Sequence, residues 1–121
     1  MKKIRFGVIG AGSWAVSSHL PTFAKHDDVE FVGLSRRGKD ALERIKSDFG
    51  FQIASEDYTD VLAAGVDVVL VASPSGLHYE HAKAALESGA NVLIEKPVTL
   101  NPDHAWELVE IAKRLDRQVT C

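Results

Sequence analysis

IRFGVIGAGSWA, residues 4–15, joins two kinds of backbone in one short span. Ile4 to Ile9 is apolar and partly β-branched, the pattern of a strand buried on both faces of a parallel sheet. It runs directly into Gly10-Ala11-Gly12-Ser13-Trp14-Ala15, a G-x-G-x-x-A turn that opens a helix. In such a turn Gly10 makes the tight bend, Gly12 lets a pyrophosphate approach the backbone, and Ala15 lets the helix pack closely. The free N–H groups and positive dipole end of the helix would then hold the phosphates. Glycine turns also occur where nothing binds, so the flanking strands and helix carry the inference as much as the glycines do.

Outward from this turn, strands and helices alternate to the end of the chain. The spacing predicts a first helix from Ser13 to about Lys25, bent or tightened early by Pro21, which cannot donate to the carbonyl of Ser17. Val29–Leu34 is a second strand and ends at Ser35-Arg36-Arg37-Gly38. Ala41, Leu42, Ile45 and Phe49 then recur at helical spacing up to Gly50. Phe51–Ala54 is a short edge strand, and Asp57 caps a helix over Tyr58–Ala64. Val66–Ala72 is the strongest strand, followed by the loop Ser73-Pro74-Ser75-Gly76 and a helix over Leu77–Ser88. Asn91–Ile94 is a fifth strand, ending at Glu95-Lys96-Pro97. Asn101 and Pro102 start the last helix, with Ala105, Leu108, Val109, Ala112 and Leu115 as its buried stripe, and Gln118–Cys121 is a sixth strand. This alternation predicts an α/β fold: a doubly wound parallel sheet of order 3-2-1-4-5-6 with helices on both faces. The loops after strands one, four and five then converge at the strand ends where such sheets bind ligands.

The 121 residues fit one domain, and their 45% hydrophobic content suits a soluble core. With 14 basic against 17 acidic residues there is no general basic field for nucleic acid. The single cysteine, Cys121, excludes a disulfide within the chain and suits a reducing cytoplasm. No apolar run has the length of a signal-peptide core or a membrane span, so a cytoplasmic protein without membrane partners is expected.

With the loops placed, the sequence resembles the glucose-fructose oxidoreductase, inositol dehydrogenase and rhizopine catabolism family, Gfo/Idh/MocA. The matching residues are Gly10-Ala11-Gly12 with His19, Ala72-Ser73-Pro74-Ser75-Gly76-Leu77-His78, and Glu95-Lys96-Pro97. The resemblance implies a cofactor domain for enzymes that pass a hydride between a nicotinamide and a hydroxyl-bearing carbon of a sugar, polyol or related compound. It assigns Lys96 the catalytic role beside the nicotinamide and the reacting oxygen, where an ammonium stabilises a developing alkoxide and a lysine perturbed by burial moves a proton. Glu95 is placed to position the cofactor or the lysine, Pro97 to follow a cis peptide, and Ser73, Pro74 and His78 to contact the cofactor. Family members continue into a larger α/β domain that binds substrate and often forms a dimer. Residues 1–121 therefore read as the dinucleotide-binding domain alone, expected to bind cofactor without substantial turnover, with homo-oligomers through an exposed apolar face left open.

An NAD binder normally ends its second strand in Asp or Glu, which accepts from the ribose hydroxyls. Here Ser35 stands there, followed by Arg36 and Arg37, which suit the extra phosphate of NADP. The expected cofactor is NADP ahead of NAD. Trp14 is read as a cofactor contact or as a lid or packing residue, and Trp106 as packing. His78 and His81 lack a third metal ligand, so no metal site is assigned. His19 is expected to pack or hydrogen-bond locally. The alternative function is a non-catalytic nucleotide-sensing or interaction module of the same fold.

Overall fold

The computed structural model describes residues 2–121. Its centre is a six-stranded parallel sheet of order β3-β2-β1-β4-β5-β6, formed by β1 (Ile4–Ile9), β2 (Val29–Ser35), β3 (Ile53–Ser55), β4 (Val68–Val71), β5 (Asn91–Ile94) and β6 (Val119–Thr120). The helices are α1 (Leu20–Phe23), α2 (Lys39–Phe49), α3 (Tyr58–Ala63), α4 (His78–Glu87) and α5 (Pro102–Leu115). A π-helical segment, Ala15–His19, leads into α1, and a 3₁₀ turn, Ser75–Leu77, leads into α4.

The period of two in the strands divides the core into two layers. On β4, Leu70 packs in one layer with Phe6, Val8, Leu34, Leu42 and Ile45, while Val69 and Val71 face the other with Ala82, Ala85, Leu86 and Leu108. Each fully buried leucine or phenylalanine contributes about 2 kcal/mol by leaving water. Small residues at Ala82 and Ala85 let α4 lie close on the sheet, as their helical spacing predicts.

Three local expectations are corrected. Pro21 does not tighten the first helix; the turn before it widens, and the Leu20 N–H reaches back to the Ala15 carbonyl five residues earlier. Widening relieves the clash between the proline ring and the preceding turn, and Pro21 then sits in the first turn of α1, where a missing N–H is tolerated. The buried stripe of α5 is Leu108, Ile111 and Ala112 rather than one running to Leu115, because the helix rolls its Ile111 side onto the sheet. Trp106, expected to pack, is 70% exposed. Elsewhere the caps are as read: Asn101 accepts from the Asp103 N–H at 2.8 Å, Asp57 from Thr59 at 2.9 Å, and Gly50 ends α2 in the left-handed region.

Candidate functional site

The strand order reverses between β1 and β4, and the chain leaves these two strands in opposite directions, opening a crevice at their C-terminal ends. Two observations explain why the glycines stand there. Gly10 has φ +81° and lies against the next strand exit, so that a Cβ on it would come within 2.7 Å of the Ser73 Cβ and closer still to the Ser73 backbone. Only glycine combines that dihedral with that approach. Gly12 is open instead: its nearest non-neighbouring atom to a built Cβ is the Gly10 carbonyl oxygen, at 3.9 Å. The turn is held from below, since the N–H groups of Gly10 and Ala11 both donate to the Ser35 carbonyl, at 2.8 and 3.0 Å. The N–H groups of Ser13, Trp14 and Ala15 find no backbone acceptor among the described residues, as at any helix start, and are free for an anion.

A cavity of about 580 Å³ opens beside this turn, lined by Ile9, Gly10, Gly12, Ser35, Arg36, Arg37, Glu56, Tyr58, Ala72, Ser73, Pro74, Leu77 and His81. It brings together the glycine turn, the end of β2 and the loop after β4, as the topology predicts. Ser35 is 3% exposed and supports the glycine turn through its carbonyl. Arg36 folds along the turn, donating to Ala11 O at 3.2 Å and Arg37 O at 2.9 Å. The exposed Arg37 side chain has no hydrogen-bond or ion-pair partner among the described residues. Trp14 is 61% exposed, its indole edge-on to the His19 ring.

His81, read from sequence as a cap or a cofactor contact rather than a metal ligand, lines the cavity. Its Nδ1 lies 2.7 Å from the Ser73 Oγ, which donates to it when Nδ1 is unprotonated. Burial pushes the His81 imidazole below its ordinary value near 6.5; Glu80 opposes that shift and His78 adds to it. Tyr58 packs on the same ring at 4.4 Å between centroids. Glu56 and Tyr58 were not singled out from sequence. The signal was available in the topology: β3 pairs with β2 so that Ser55 faces Ser35, and Glu56 therefore leaves the sheet beside Arg36.

The residues of the Glu95-Lys96-Pro97 loop lie outside this cavity's lining and are tied to it by two histidines. His19, on the helix after the glycine turn, bonds through Nε2 to the Glu95 carboxylate. His78 is 2% exposed, with its two ring nitrogens each 2.7 Å from a carbonyl oxygen, of Ser73 and of Pro97. His78 thus lies between the two loops, its N–H placed to donate to one or the other carbonyl, and its ring is buried away from the cofactor contact expected of it. The Lys96–Pro97 peptide is cis, as the resemblance implies. Lys96 is exposed, so the burial that a proton-transfer role would draw on is absent in this chain.

The family model described as "Oxidoreductase family, NAD-binding Rossmann fold", Gfo/Idh/MocA, matches residues 4–121. The chain belongs to this family. D-glucoside 3-dehydrogenase of Escherichia coli K12 is 32% identical over 115 residues, 94% of this chain and 33% of that protein. A variant of KijD10, a 3-ketoreductase from Actinomadura kijaniata crystallised with TDP-benzene and NADP, superposes with a TM-score of 0.91 at 32% identity, covering 98% of this chain and 36% of its own. The WlbA dehydrogenase of Chromobacterium violaceum, in complex with NADH and UDP-GlcNAcA, gives 0.91 at 28% identity, covering 100% and 35%. The chain thus spans about a third of the length of these relatives. As a Gfo/Idh/MocA member it is an NAD(P)-binding Rossmann domain of an oxidoreductase family. The site fits such a cofactor on its own geometry: an open Gly12, free N–H groups at the helix start and a cation at the end of β2. No helix among the described residues is long and apolar enough to cross a membrane.

Proposed function

We propose that this chain is the NADP-binding domain of a cytoplasmic oxidoreductase that acts on a hydroxyl or keto carbon of a sugar, polyol or related compound. The observation that carries the reading is the single cavity in which Gly10, Gly12, Ser73 and Pro74 meet Ser35, Arg36 and Arg37. The N–H groups of Ser13 to Ala15 would hold the phosphates, and the end of β2 would hold the adenosine ribose. There Arg37 offers a guanidinium to the extra phosphate of NADP, with Arg36 holding the loop through Ala11. When bound, the nicotinamide would supply or accept the hydride. His19, through Glu95, and His78, through Pro97, hold the loop that carries Lys96. The exposed Lys96 ammonium is then free to stabilise negative charge on the substrate oxygen, which belongs to a substrate held by a second domain. The sugar-converting relatives of similar sequence support this substrate class.

Fluorescence titration of the chain with NADPH and NADH tests the reading. NADPH is expected to bind about tenfold tighter, since a charge pair at a partly solvated site contributes about 1 to 4 kcal/mol. Arg37→Ala should remove most of that difference and leave NADH affinity unchanged. Equal affinities in the unaltered chain, or tighter NADH, would overturn it.

A further inference from the structure

The end of β2 lacks the carboxylate of an NAD site, but the end of the neighbouring strand supplies one. Because Ser35 pairs with Ser55, Arg36 and Glu56 leave adjacent parallel strands side by side. Glu56 lines the same cavity as Arg36 and Arg37. Its Oε2 takes neither guanidinium within ion-pair distance among the described residues. It accepts instead from the Gly38 N–H at 3.1 Å, at the N-terminus of the eleven-residue helix α2. A negative charge there gains from the helix dipole as a phosphate would. Glu56 therefore already occupies, as a carboxylate of the chain itself, an anion-favouring position between the β2 cations and α2.

We propose that Glu56 is a specificity-determining residue, an internal anion that competes with the 2′-phosphate of NADP for the Gly38 N–H and the arginine charge and so restrains the preference for NADP over NAD. This rests on the reading of Arg36 and Arg37 as the phosphate side of the cavity. A phosphate entering here must displace Glu56 or sit beside it against like-charge repulsion. NAD, which presents only a hydroxyl, meets no such repulsion. The residue thus works against the two arginines, and the balance of the three sets the discrimination.

Glu56→Gln retains an acceptor for Gly38 while removing the charge, and Glu56→Ala removes both. Each is titrated with NADPH and with NADH beside the unaltered chain and Arg37→Ala, after a thermal melt has established folding. The expected result is an increase in NADPH affinity of about fivefold or more for both variants, with NADH within about twofold. Unchanged NADPH affinity in variants that fold overturns the proposal while leaving the NADP reading intact, provided Arg37→Ala still weakens NADPH. Weaker NADH with unchanged NADPH overturns it in favour of Glu56 as a ribose ligand. If Arg37→Ala changes neither cofactor, the phosphate does not lie at this end, and both readings fall together.

Discussion

At the scale of single residues the site depends on a few positions whose chemistry has no substitute. Gly10 has φ +81° and presses on the Ser73 backbone. Alanine there incurs strain of about 1 to 3 kcal/mol together with overpacking of similar size. Gly10→Ala should therefore lower the unfolding free energy by about 2 kcal/mol or more in urea titration and abolish cofactor binding; a midpoint equal to that of the unaltered chain would refute the close approach. Lys96 behaves differently, because it is exposed and outside the cavity lining. Lys96→Ala should leave cofactor affinity within about twofold. Its proposed effect belongs to turnover in a protein that also carries a substrate domain, where loss of such a charge-stabilising group costs about 10²- to 10³-fold.

Elements set the predictions that concern stability. The Asn101 side chain satisfies the first turn of α5, so Asn101→Ala should cost about 1 kcal/mol, read by denaturation, with no change in cofactor affinity. The start of α4 carries His78 and His81 beneath the Ser73 loop. Since burial lowers the His81 pKa in the fold, the unfolded chain takes up that proton first as pH falls. The stability associated with neutral His81 is fully present above its ordinary value near 6.5 and is lost as pH falls through the lower value of the folded state. The melting temperature should therefore drop as pH is lowered from about 7 through the ordinary value near 6.5 and below it. His81→Gln should flatten that drop; an equally steep drop in the variant would place the acid sensitivity elsewhere.

For the molecule as a whole, the sheet brings two separate functions to one edge. The cavity between the end of β2 and the loop after β4 is the proposed adenosine side, and the loop after β5 carries Lys96. His19 and His78 connect them. The 121-residue chain is expected to bind NADPH and to show no sugar oxidation by itself, because it spans only about a third of the length of the sugar-converting relatives it matches. Steady-state absorbance at the nicotinamide band checks this, and robust turnover by the isolated chain would refute it. Exposed Trp14, Leu77, Leu100 and Trp106 show that the surface is not uniformly polar.

Much of this was legible in the sequence because it rests on local rules. Apolar strands, capped helices and glycine stops occur at the periods that backbone geometry imposes, and their alternation permits essentially one doubly wound sheet. From that order alone, Gly10, Ser35, Arg36, Arg37, Ser73 and Pro74 were bound to meet. Other features depend on packing between distant segments, which no local period encodes. The π turn before Pro21, the choice of Ile111 over Leu115 and the buried ring of His78 are settled by which neighbour lies within reach. Glu56 is the clearest case. As a sequence position it is one acid in a loop, and only the β2–β3 register sets it beside the arginines, because strand pairing joins residues twenty apart into one electrostatic site.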